Sequence, residues 1–203
     1  MSTDALNTGK LSPDEYYRFC TEQGNKCYDL GLYQEAELFL ERAIRTATDM
    51  EDYDRLGYSV CSLMAVMIIC KRYSEAISIG EKYEPYFSGS DWVYEIKTGL
   101  CFAYPSQGKT RIAQKLAEEV IEHKRNDSEA YHHPVTCSLY KILYNSGKCR
   151  NRVEVLSEWQ KLENQVNESN SGSAMKLSTE RINAMSPEET TGDHEIDGGG
   201  SNA

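Results

Sequence analysis

The feature that most limits what this chain can fold into is a phrase that returns with variations. Gly31-Leu32-Tyr33-Gln34-Glu35-Ala36, followed by Leu40, Ala43 and Ile44, comes back as Lys71-Arg72-Tyr73-Ser74-Glu75-Ala76, followed by Gly80 and Tyr83. Weaker echoes start at Gly108, with Ala113, Ala117 and Val120, and at Gly147, with Leu156 and Trp159. The anchors Tyr33, Tyr73, Thr110 and Cys149 stand 40, 37 and 39 residues apart. A period of that size, with a turn inside each unit, marks stacked helix pairs. One pair cannot bury its own apolar face, whereas stacked pairs share a continuous core.

Local signals agree. Ser12-Pro13-Asp14-Glu15 reads as a helix start, with serine as the cap, proline in the first turn and Glu15 closing a capping box. Apolar spacing predicts helices over 16–30, 33–46, 54–70, 73–86, 90–104, 109–124, from about 133 to 145, and from 152 to about 166. No segment shows sustained strand alternation. The predicted fold is therefore all-α, a helical-repeat superhelix of about eight helices over residues 11–166. Gly24, Ala36 and Ala43 lie where helices must approach closely, and the matched Ala36, Ala76 and Ala113 are expected in the core. Tyr33 and Tyr73 are expected to fill the wedge where two helices diverge.

Hydrophobic residues make up 39% of the chain, so the apolar groups must be concentrated. The last 36 residues carry seven acidic and two basic groups, half of the formal charge of -10. Residues 167–203 are thus expected to form an acidic disordered tail, and residues 1–10 a flexible N-terminus. The acidic balance argues against a nucleic-acid-coating role, because phosphates reward dense positive charge. No run of 18 apolar residues exists, so no membrane partner is expected. Seven cysteines without a CxxC pair point to a reducing compartment, the cytoplasm and/or nucleus.

Apparent chemical motifs lack their context. Gly108-Lys109-Thr110 imitates the end of a phosphate-binding loop, but Ala103 stands where the upstream glycine belongs and Tyr104-Pro105 is a helix exit. His133 and Cys137 are one helical turn apart, yet zinc needs further ligands and none is suitably spaced. Glu118-Glu119 and Glu188-Glu189 read as solvated pairs. No catalytic residue, metal or cofactor is expected, and the chain is read as no enzyme.

The segment Gln23 to Ile44 resembles the tetratricopeptide repeat family. It carries a small and then a larger residue on the first helix (Gly24, Cys27), glycine and an aromatic at the turn (Gly31, Tyr33), and Ala36, Leu40 and Ala43 on the second. Met64, Met67, Tyr73, Ala76, Gly80 and Tyr83 match in the second unit. The resemblance is clearest over 15–86 and weaker over 90–166, where Thr110 and Cys149 replace the aromatic wedge. It implies a concave face lined by the first helix of each pair. Some family members clamp a chaperone's C-terminal carboxylate there. Of that clamp only Asn25 is matched, the other positions holding Thr21, Ser62, Glu95 and Gly99, so this ligand is not expected.

The concave positions left free by the core are Arg18, Thr21, Asn25, Tyr28 and Asp29, then Tyr58, Cys61, Ala65 and Ile68, then Glu95, Thr98 and Phe102, then Cys137, Lys141 and Tyr144. The partner-binding set expected from these is Asn25, Tyr28, Tyr58, Ile68, Phe102, Lys141 and Tyr144. In the competing arrangement, a flatter bundle, an adjacent helix buries Cys61, Ala65 and Ile68. The functional expectation is a protein–protein interaction adaptor or scaffold subunit that holds a partner helix or extended peptide. The alternatives are a non-catalytic regulatory subunit of an enzyme complex and an RNA-associated repeat protein using Lys109, Arg111, Lys148, Arg150 and Arg152.

Overall fold

The structure, a computed structural model, describes residues 11–125, 134–145 and 152–169. Among these, eight α-helices follow one another: α1 Pro13–Asp29, α2 Tyr33–Asp49, α3 Tyr53–Ile69, α4 Tyr73–Tyr83, α5 Trp92–Ala103, α6 Thr110–Lys124, α7 Pro134–Asn145 and α8 Arg152–Ser169. Short 3-10 turns, Glu84–Phe87 and Tyr104–Gln107, follow α4 and α5. The expected N-terminal arm and the acidic stretch beyond Ser169 lie outside the described residues. Helix α8 runs three residues into the segment expected to begin that tail at Asn167.

The start of α1 forms as its sequence predicts. The Glu15 amide donates to Ser12 Oγ at 3.3 Å, the Ser12 amide donates to Glu15 Oε2 at 2.9 Å, and Pro13 occupies the first turn. Helices α1, α2 and α3 are each 17 residues long and are separated by three-residue links. The links share one geometry. Gly31, Glu51 and Lys71 adopt φ of 75°, 54° and 57°, and the following amides of Leu32, Asp52 and Arg72 donate back to Cys27, Ala47 and Met67 at 2.8, 3.0 and 2.8 Å. This is the glycine-type helix stop, built once on glycine and twice on residues that carry a Cβ. Tyr33, Tyr53 and Tyr73 therefore each open a helix, and the 40-residue period is two 20-residue steps.

The regular step ends at α4, which has 11 residues. The sequence predicts a helix to Tyr86, but Pro85 has no N–H for the ladder, and the chain tightens into the 3-10 turn at Glu84. Pro105 has the same effect after α5.

Each helix packs on the next, and α3 also packs on α4 and α5 while α5 reaches α7. Ala36, Ala76 and Ala113 have no accessible surface, and neither do Ala43, Ala47 and Ala117. Leu40, Val60, Met64, Ile96, Leu100, Leu139 and Leu162 fill the space between them. Tyr33 is only half-buried and stands edge-on to Tyr28, with ring centroids 6.0 Å apart, so it closes the hairpin mouth and is not a core residue.

Two substitutions test this architecture. Glu51→Gly relieves a left-handed Cβ worth about 1–2 kcal/mol, partly offset by the freedom glycine adds to the unfolded chain, so the denaturation midpoint is expected to rise. At Gly57 an added Cβ would sit 2.5 Å from the Trp92 ring, whereas at Gly99 it would meet the movable Met64 methyl at 2.7 Å. Gly57→Ala is expected to cost about 1–3 kcal/mol by overpacking, while Gly99→Ala stays near neutral in the same chemical denaturation series.

Candidate partner-binding groove

Helices α1, α3 and α5 lie side by side, and their contacts define one face of the stack. The tie between α1 and α3 begins at Tyr17, whose hydroxyl donates to the Arg55 carbonyl at 3.0 Å and lies 3.2 Å from Ser59 Oγ. The Arg55 guanidinium sits 5.0 Å above the Tyr17 ring and pairs with Asp14 and Asp52. That guanidinium, through its hydrogen bond, holds the Asp14 carboxyl below the usual carboxylate range. Two turns further along, Asn25 Nδ2 donates to the Tyr58 hydroxyl at 2.6 Å. On the α5 side Trp92 lies over Gly57 and donates Nε1–H to Asp54 at 3.0 Å.

The Asn25–Tyr58 pair is the polar centre of this face. Asn25 is exposed and Tyr58 is 39% exposed, a large ring partly in water one turn and a half beyond the exposed Tyr53 that opens the same helix. Cys61 and Ala65, one and two turns on, are half-buried. Burial, with the Glu95 carboxylate nearby, pushes the Cys61 thiol up to about 12, so it stays protonated at neutral pH and behaves as an apolar group. Glu95 on α5 is bound by Lys124 Nζ of α6 at 2.7 Å. Beside it the His123 ring stacks on Tyr94, with centroids 3.6 Å apart, and its Nε2 lies 3.2 Å from Asp91.

The predicted site residues separate into distinct groups. Asn25 and Tyr58 are brought together at the surface, and Tyr28 is half-buried one turn from Asn25. Ile68 and Phe102 are corrections: they are 1% and 2% exposed and belong to the core. Ile68 lies at the α3–α5 contact, where Gly99 admits close approach and where a Cβ would stand 3.8 Å from Ile68 Cδ1. Phe102 is one turn beyond the buried Thr98 on α5, the helix on which α7 packs. At Ile68 the flatter-bundle reading therefore prevails, and for Cys61 and Ala65 it holds in part. Lys141 is half-buried on α7, and Tyr144 occupies α7 at a position whose side chain lies outside the described residues, as does that of Cys137.

Sequence reasoning missed the groups that frame the face. Nothing in the local pattern marks Tyr17 and Arg55, although they stand 38 residues apart, about one repeat period, on successive first helices. Of the positions aligned with a carboxylate clamp, Thr21 is buried and donates to carbonyls of its own helix, and Glu95 is engaged with Lys124. Among the described residues no group of three His, Cys, Asp or Glu side chains is placed to hold a metal ion, and no helix is long and apolar enough to cross a membrane. Compared with known proteins, the chain matches no family model, no curated protein and no solved structure.

Core and surface residues on this face separate by experiment. Ile68→Ala and Phe102→Ala are expected to cost about 2–5 kcal/mol each in thermal or chemical unfolding. Tyr58→Phe, which removes one exposed hydrogen bond, is expected to cost about 1 kcal/mol or less. Equal losses for all three would mean that Tyr58 is core.

Proposed function

We propose that this chain is a tetratricopeptide-like interaction module, an adaptor or scaffold subunit of an intracellular complex that holds a segment of another protein along the α1–α3–α5 face. The observation that carries the reading is Tyr58. Its ring is left in water at the middle of the inner-helix row, and its hydroxyl is fixed by Asn25. A rigid aromatic with a positioned polar tip suits a partner anchor, because little conformational entropy is lost on binding. The half-buried Cys61 and Ala65 extend the ring into a shallow apolar strip, and Asn25 offers the peptide backbone a donor and an acceptor.

The intracellular assignment is supported by the thiols. Cys20, Cys27, Cys61, Cys70 and Cys101 are all free, and Cys20 and Cys101 are buried as small apolar groups. Thiols in these positions fit a reducing compartment such as cytoplasm or nucleus.

The test is affinity recovery from native extract with the wild-type chain and with Tyr58→Ala and Asn25→Ala, followed by titration of the recovered partner. A buried aromatic anchor contributes about 2 kcal/mol or more, so Tyr58→Ala is expected to weaken binding roughly 30-fold while circular dichroism is unchanged. Undiminished binding by both variants would remove this face as the site. A partner whose enzymatic rate changes on binding would make the chain a regulatory subunit.

A further inference from the structure

Four tyrosine rings of this chain carry one of its own cations. Arg55 lies over Tyr17, Lys82 over Tyr83, Lys97 over Tyr94 and Lys109 over Tyr104, at 5.0, 4.6, 5.5 and 5.1 Å from the ring centroid. Tyr58 is different. Its hydroxyl is held by Asn25 and its ring is 39% exposed, yet no cation among the described residues lies over it. The face of an aromatic ring is electron-rich and attracts a cation, above all the planar and weakly hydrated guanidinium.

The charges around the ring favour the same ligand. Asp54, one turn before Tyr58 on α3, is exposed and accepts from the neutral Trp92 indole N–H at 3.0 Å. Glu22, one turn before Asn25 on α1, is exposed, and no cation among the described residues pairs with it or with Asp54. The cations of this face are already engaged. Arg18 is paired with Asp14 at 3.2 Å, Arg55 with Asp14 and Asp52, and the buried Lys124 with Glu95 at 2.7 Å. Lys26 is exposed but follows Asn25 by one residue, about 100° round α1 from it. Lys71 lies more than three turns beyond Tyr58, in the link after α3, and Lys141 is half-buried on α7, beyond α5. We infer that the segment held on this face is basic, and that one of its arginines stacks on the Tyr58 ring with Asp54 and Glu22 as counter-charges. An acidic segment is repelled by the same two carboxylates. The inference rests on the reading of this face as a partner site and names the chemistry of the partner.

Selection of random peptides displayed on phage against the full chain, keeping clones that fail to bind Tyr58→Ala, tests it. If Tyr58→Ala loses helicity, Tyr58→Leu takes its place. Arginine is expected to be enriched several-fold over the unselected clones, with Asp and Glu depleted. The peptide recovered most often is then synthesised and titrated. Its affinity is expected to fall several-fold when its arginine becomes citrulline, the neutral isostere, and when Tyr58 becomes Leu. Asp54→Asn and 0.5 M NaCl are expected to weaken it likewise, since screening shortens the reach of charge. If Asp54→Asn lowers the melting temperature, Glu22→Gln is read instead. Tyr58→Phe, which keeps the ring, is expected to bind as before. So is Tyr53→Ala, which removes an exposed tyrosine beside Glu51, Asp52 and Asp54 but about 140° round α3 from Tyr58. Tyr58-dependent clones that are neutral or acidic, or binding indifferent to citrulline and to salt, would overturn the basic-segment inference and leave the groove standing. The lack of any Tyr58-dependent clone would overturn both.

Discussion

Close approach of backbones at residues without bulk sets the spacing on which every other contact depends. Ala36, Ala76 and Ala113 occupy the fourth position of α2, α4 and α6 and are wholly buried. Gly57 and Gly99 do the same for α3 and α5, the first against Trp92 and the second against Met64. Interiors are packed to crystal-like density, so an added methyl is not absorbed where a rigid ring faces it, as at Gly57, although at Gly99 it faces only the movable Met64 methyl. The long side chains, from Leu40 to Leu162, fill the volume this spacing leaves.

Charged contacts act as fasteners at the rim of that packing. Asp14–Arg55 and Lys97–Glu119 each join two helices, Arg72–Glu37 joins the α3–α4 link to α2, and each pair keeps at least one partly exposed member, so each adds little net stability. Their value is positional: two long side chains meet in only one register. Lys124 differs, since it is buried and its ammonium depends on Glu95. Loss of Glu95 would leave a buried charge unpaired, a larger penalty than loss of a surface pair. Glu95 thereby serves the fold even though it borders the candidate groove.

The groove is smaller than helical periodicity implies. On α3, Tyr58, Cys61, Ala65 and Ile68 share one side of a helical wheel, yet exposure falls along them from Tyr58 to Ile68 as α5 closes over α3. The cause is the close packing of α5 on the C-terminal half of α3, which Gly99 admits against Met64 and Ile68. A row of residues with the right spacing is thus divided between a binding surface and a core by a neighbour that is remote in sequence.

The all-α class, the eight helices and the matched alanines follow from the chain alone, because capping boxes, prolines and apolar periodicity act over a few residues. The 20-residue step is also present in Tyr33, Tyr53 and Tyr73, although the link before Tyr53 carries Glu51 where a glycine marks the first. Backbone sterics permit that left-handed residue only when the turn's hydrogen bonds and the packed helices beyond it compensate. Tertiary structure alone decided that Ile68 and Phe102 are core, that Asn25 meets Tyr58, and that Asp14 is held by Arg55 41 residues away. Such contacts depend on how three helices cross. A one-dimensional pattern names the residues on a helix face, but only the neighbouring helices determine how much of that face remains in water.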